Sequence, residues 1–307
     1  MRNIWIVAGA AALALGVTTP AEAWDEVGHL VIARIAWDNM TPQARQGAVR
    51  LLMEAPADAG IRALLPRDGR AAEVRERELF LRAAVWADYV RSNPEYHRGD
   101  WHYINIFWEQ SAAGRPRDRP DIPMAGQAVT KLEEFSRTVA DPAIPAAERA
   151  VQLAWILHLV GDIHQPMHAS ARISPRNPEG DRGGNLHRIA GSSDNLHSYW
   201  DRAVTRQARW GPGDVDATAF LGSAAGSLQS RHPTPAEAEL NADFMEWARE
   251  SYRIARDQAY PGSLRWREVP PPSYEVLTER IATRRATLAG YRLAELLNRR
   301  FGEEAGE

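Results

Sequence analysis

Apolar residues return every three or four positions along much of the chain. Val27, Leu30, Val31 and Ile35 form one such series, Leu79, Ala83, Trp86 and Val90 a second, and Val151, Leu153, Ile156, Leu157 and Val160 a third. This spacing lays a single apolar stripe along an α-helix, so a helix is predicted over each series. Further helices are predicted at about 42–54, 123–139, 214–229, 235–258 and 273–299, several opening after a Thr-Pro or Asp-Pro start signal such as Thr41-Pro42. The alternating pattern of a half-buried strand is scarce. Residues 92–122, rich in Pro, Arg and Gly, and 170–196, which include SPRNPEGDRGGN and GSSDN, read as two long loops. Loops of that length inside a compact domain commonly carry function. With no internal repeat and no low-complexity linker, the fold class expected is a single all-α domain.

The first 23 residues stand apart from this pattern. Arg2, an apolar run from Ile4 to Val17 and the small-x-small sequence Ala21-Glu22-Ala23 are the marks of a secretory signal peptide, and the run falls short of the roughly 20 residues that span a bilayer. Cleavage after Ala23 would make Trp24 the first residue of a domain covering 24–307, secreted or periplasmic. No later run is long enough for a membrane, so no membrane contact is expected after cleavage, and the chain is expected to be a monomer. Cysteine is absent, which leaves an exported protein without disulfides and makes bound metal a candidate stabiliser. The formal net charge is −3, and 36 arginines and one lysine, Lys131, are mixed with acids along the chain. That distribution does not make a duplex-DNA-binding face.

The segment LAWILHLVGDIHQPMH places His158 and Asp162 four residues apart, on one face of a helix that Pro166 should end near Gln165. His168 then lies just beyond the helix end. NLHSYWD repeats the spacing with His197 and Asp201. A single His/Asp pair of this kind is more often a surface hydrogen bond than a metal site; two such pairs, with His168 between them and His102 in DWHYIN, point to metal ligation by imidazole and carboxylate.

These segments resemble a known family. WDEVGH at 24–29, WADYVR at 86–91, WHYIN at 101–105, HLVGDIHQPMH at 158–168, GGN at 183–185 and NLHSYWD at 195–201 occur in the order found in the superfamily of zinc-dependent phospholipases C and S1/P1 nucleases. The resemblance implies an all-α fold around three Zn²⁺ ions. Trp24, through its α-amino nitrogen and carbonyl oxygen, and His29 would hold one zinc with Asp162. Asp88, His102 and His158 would hold a second, again with Asp162, and His168, His197 and Asp201 the third. Three dications against three aspartates make a cationic pocket suited to a phosphodiester, in which a shared water is acidified toward roughly pH 7 for in-line attack. Arg91 would contact the phosphoryl group, and Asp88, Arg91 and Asp162 form the catalytic set.

Several residues keep two readings. Tyr103, beside His102, either stacks a nucleobase or packs, and Asn105 and Asn185 are further substrate-binding candidates. Asn105 stands where fungal relatives have an aspartate, which puts a carboxylate helper in question. Trp86, Trp155 and Trp200 are read as core; His164 as a hydrogen-bond partner or surface residue; His97 and His232 as surface. NLH also occurs at 185–187, but only His197 has an acid four residues on, so His187 is set aside. The function expected is hydrolysis of single-stranded DNA and RNA to 5′-phosphorylated products, with possible 3′-nucleotidase activity. The competing readings are a phospholipase C and a non-catalytic zinc-binding periplasmic protein. Asp201 as the third-zinc acid, the long interval from His168 to His197 and the five-residue step from Trp24 to His29 all favour a nuclease.

Overall fold

A computed structural model describes residues 24–110, 115–208, 217–240 and 243–302; the expected signal segment lies outside them. The chain runs through helices α1 (Glu26–Asn39), α2 (Pro42–Leu52), α3 (Ala72–Ala83), α4 (Trp86–Tyr89), α5 (Ala128–Thr138), α6 (Ala146–His164), α7 (Leu196–Asp201), α8 (Ala203–Ala208), α9 (Ala217–Arg231), α10 (Glu237–Leu240), α11 (Phe244–Gln258) and α12 (Pro272–Phe301). Local chemistry starts several of them. Asp25 caps α1 by accepting from the Gly28 amide at 3.1 Å, Thr41 caps α2 ahead of Pro42, and Asn195 caps α7 through the Ser198 amide at 2.8 Å.

α6 is the axis of the fold. Every residue from Leu153 to His164 is buried, as suits a helix that is apolar nearly all round. α2, α5, α11 and α12 pack on it, and α12 also lies along α1. Trp24, Trp86 and Trp155 fill the larger core around these helices, whereas Trp108 and Trp200 belong to a second apolar cluster beside α11. The three tryptophans read as core are therefore core. Among the described residues, no helix is long and apolar enough to cross a membrane.

Three expectations need correction. The two long loops are not wholly irregular: β1 (Ile106–Gln110) pairs antiparallel with β2 (Pro116–Asp118) and parallel with β3 (Ser170–Ile173), a small sheet of order β2-β1-β3. Its short strands, one of them fully exposed, offer too few alternations to register as a period. The helix expected over 235–258 divides into α10 and α11, with Asp243 capping the second. The helix expected through Leu79 to Val90 breaks at Ala84 and Val85. There the Asp88 amide donates to the Val85 carbonyl rather than to Ala84, which leaves the Ala84 carbonyl for another partner.

Candidate metal centre

That partner is His158. Its Nδ1–H donates to the Ala84 carbonyl at 2.8 Å, which fixes the tautomer and leaves the Nε2 lone pair facing inward. The same Nε2 lies 3.0 Å from His102 Nδ1, 3.3 Å from Asp162 Oδ2 and 3.7 Å from Asp88 Oδ1. Asp162 occupies the middle: Oδ2 is 3.1 Å from His102 Nδ1, while Oδ1 is 3.3 Å from His29 Nε2. Each oxygen thus addresses a different group of donors. Burial holds the His29, His102 and His158 imidazoles below the ordinary histidine range, and burial together with the Asp88 charge pushes the Asp162 carboxyl well up. Burial thus disfavours ion pairing between Asp162 and these imidazoles. Asp162 Oδ1 and both ring nitrogens of His29 are buried without a hydrogen-bond partner, a set of polar atoms that a cation would satisfy.

A second group lies across His102. His168 Nδ1–H donates to the His102 carbonyl at 2.6 Å, and His197 Nδ1–H to the Gly183 carbonyl at 2.7 Å. Carbonyls only accept, so in each neutral ring Nε2 is the unprotonated nitrogen. These two nitrogens face each other at 2.9 Å, lone pair to lone pair. Burial pulls His168 down to about 4, which disfavours a shared proton near neutral pH. A metal ion would relieve the repulsion, and Asp201 Oδ1, 3.8 Å from His197 Nε2, would complete a donor set of the type zinc takes.

The structure therefore brings together three sets whose donor atoms lie within 4.8 Å of one another: His29, Asp88 and His158; His102, His158 and Asp162; His168, His197 and Asp201. Trp24 belongs to the same neighbourhood. It is fully buried, its indole donates to the Gly161 carbonyl at 3.0 Å, and the next amide, that of Asp25, donates to the Asp201 carbonyl at 3.1 Å. Arg91 is bound to the Asp88 carboxylate. Tyr103 and Asn105 leave His102 toward β1; the Tyr103 ring packs on Gly126, and Asn105 exchanges backbone hydrogen bonds with Ala125. Asn185 turns its amide back to the Arg182 carbonyl at 2.8 Å.

His164 is neither a member of these sets nor a surface residue. It is fully buried, its Nδ1–H on the Val160 carbonyl and its Nε2 accepting from Arg292 at 2.9 Å. His187 is buried outside the sets, and His97 and His232 are half-buried rather than exposed.

Sequence reasoning missed the residues that hold the ligands. Gln165 donates to Asp201 Oδ1 at 2.6 Å. Asp181 accepts from the Arg172 and Gly184 amides and, at 2.6 Å, from the Tyr260 hydroxyl, so it shapes the loop whose Gly183 carbonyl orients His197. Gly183 sits at φ 61, where an added Cβ would lie 2.2 Å from the Met167 carbonyl oxygen. Gly161 matters for another reason. A Cβ there would lie 2.8 Å from His29 Nδ1, on a ring already stacked against His158 at 4.0 Å. Gly161→Ala is expected to keep the helix, lower bound zinc and reduce hydrolysis roughly 10- to 100-fold, as disturbed ligand orientation does. Elemental analysis beside circular dichroism checks it; full zinc and full activity would show that His29 needs no such clearance.

Comparison with known proteins identifies the family. A family model described as S1/P1 Nuclease matches residues 24–302. The chain is 22% identical to Nuclease PA3 of a Penicillium species and 21% identical to Nuclease P1 of Penicillium citrinum, each over 92% of this chain and 99% of the relative. It is 27% identical to Nuclease S1 of Aspergillus oryzae over 42% of either chain. The chain belongs to the S1/P1 nuclease family.

Proposed function

We propose that the protein is a secreted, monomeric zinc nuclease, processed after Ala23, which hydrolyses single-stranded DNA and RNA to 5′-phosphorylated products and also removes 3′-phosphates from nucleotides. The observation that carries the metal reading is that the Nε2 atoms of His168 and His197 face each other at 2.9 Å while the Nδ1 of each ring is held by a backbone carbonyl. Three zinc ions are assigned as the resemblance implies, with Trp24, His29 and Asp162 on one, Asp88, His102, His158 and Asp162 on the second, and His168, His197 and Asp201 on the third. That the family match opens at Trp24 supports the processing site. When bound, the metal supplies Lewis-acid charge and a water acidified toward neutrality.

The protein's own groups do the rest. The Ala84, His102 and Gly183 carbonyls set the imidazole tautomers before any substrate arrives, so no reorganisation is needed during reaction. Arg91, held by Asp88, presents a planar guanidinium to phosphate oxygens. Tyr103, half-buried beside His102, offers an aromatic face to a base that has left its stack, which favours single strands over duplex.

Tyr103→Ala removes that face without removing a zinc donor. Zinc content should stay unchanged while kcat/KM on a single strand falls roughly 5- to 150-fold, the equivalent of one base–aromatic stack, and hydrolysis of a base-free phosphodiester stays within about twofold. An equal loss on both substrates would make Tyr103 a support of the metal site. Rapid cleavage of phosphatidylcholine with none of single-stranded DNA would overturn the nuclease substrate.

A further inference from the structure

The loop that orients His197 has another face. On it lies a cleft of about 480 Å³, lined by Arg172, Ser174, Arg176, Asn177, His187 and Trp266 among others. It is separate from the metal sets but tied to them twice. β3 (Ser170–Ile173) opens two residues after His168 and carries Arg172, so the four steps of chain between them span at most about 13 Å. From the other side, the His187 carbonyl accepts the amide of Leu196 at 2.9 Å, one residue before His197.

The cleft holds unspent donors. Arg172 donates to His187 Nδ1 at 3.0 Å; because a guanidinium cannot accept, Nδ1 is the unprotonated nitrogen and the proton sits on Nε2. His187 is only 7% exposed, and its Nε2 has no hydrogen-bond partner, nor has Arg172 Nε. Burial, reinforced by Arg172 and Arg176, brings His187 down to about 4, so this ring is a neutral donor rather than a cation. Arg172 lies 3.9 Å over the Tyr260 ring and Arg176 4.3 Å over Trp266. The carboxylate beside Arg172, Asp181, is 3.8 Å from its Nε and already accepts from the Tyr260 hydroxyl and two amides. Arg176 makes no ion pair among the described residues. The exposed Arg188, Arg265 and Arg267 flank His187 and Trp266 in sequence. Guanidiniums backed by aromatic rings, with buried N–H groups lacking acceptors, suit a phosphate carrying a base.

We propose that this cleft is a phosphate-binding subsite for the single strand itself, outside the metal centre, gripping a nucleotide a few positions from the bond being cut. The proposal rests on the nuclease reading above and names where a longer substrate gains its affinity. The same chemistry would also suit a detached mononucleotide, so the test separates the two.

Zinc-loaded wild-type protein, Arg176→Glu and Trp266→Ala are compared; both substitutions lie away from every assigned zinc ligand. Equilibrium binding uses a labelled, hydrolysis-resistant 12-nucleotide phosphorothioate strand, and kinetics use a 12-nucleotide strand and a dinucleotide. Each variant should bind the phosphorothioate strand at least about fivefold more weakly and show a raised KM on the 12-nucleotide substrate, with unchanged kcat, zinc content and dinucleotide kinetics. Arg176→Glu should also flatten the salt dependence of binding. Equal binding of the strand by wild type and both variants would overturn the subsite even if cleavage proceeds. A free 5′-mononucleotide that loses as much affinity as the strand would overturn the strand assignment in favour of a product site. Wild-type protein that binds the strand, loses affinity in both variants and cleaves nothing would leave the subsite standing and sink the nuclease reading.

Discussion

Asp162→Ala should lose more zinc than Asp201→Ala and at least about 10³-fold in hydrolysis, since several kcal/mol of transition-state stabilisation depend on the metal pair. The reason lies in how its oxygens are shared. Oδ1 addresses His29 and Oδ2 addresses His102 and His158, so on the proposed assignment its removal would withdraw a donor from two metals at once, whereas Asp201 would serve one. Stability should follow metal. With zinc present at about a thousand times its dissociation constant, binding contributes about 4 kcal/mol to the folded state, and loss of that contribution lowers Tm by about 7 °C in a domain of this size. In chelated protein the difference between wild type and variant should shrink, because burial already pushes the Asp162 carboxyl toward its neutral form. Elemental analysis and thermal melts with and without chelator check both points. Equal zinc loss in the two variants, or a Tm gap that chelation leaves untouched, would remove the bridge.

Protein made with one additional residue ahead of Trp24 should fold and yet lose about 10²-fold or more in activity, together with part of its zinc. The Trp24 ring is fully buried and its indole is held by the Gly161 carbonyl. A Cβ on Gly28 would approach Trp24 Cβ to 2.7 Å, so the residue has no room to shift and present another group. An extension converts its amine to an amide, which is a poor ligand, and adds bulk at a packed position. Mass spectrometry to establish the terminus, followed by zinc content and rate, tests this. An extended protein with full zinc and full rate would show that the terminal amine is not a ligand.

Much of this centre was legible because its donors come in short segments with fixed helical spacing. His158 with Asp162 and His197 with Asp201 needed only a helix and a four-residue step, and α6 and α7 supply both. The helical pattern was equally readable in α2 and α12, which both open on a proline, α2 behind the Thr41 cap. What stayed hidden depends on contacts between distant segments. Gln165 on Asp201, Asp181 under the 180–185 loop and the Arg292 hydrogen bond that buries His164 leave no spacing in the chain. The sheet was hidden by its short strands, and the burial of His187 by Arg172, fifteen residues away.

The interruption between α3 and α4 has a bearing on anyone who would stabilise this enzyme. A designer scoring helix propensity would find a defect at Ala84 and Val85 and would repair it by favouring one continuous helix. In a continuous helix the Ala84 carbonyl would accept the Asp88 amide and be lost to His158, and Asp88 itself would rotate about the helix axis. The repaired segment would gain local stability, and the histidine and aspartate that it carries or steadies would lose their bearings. Here the irregularity is the fixture on which the chemistry is mounted, and thermal gain at this one point would trade directly against turnover.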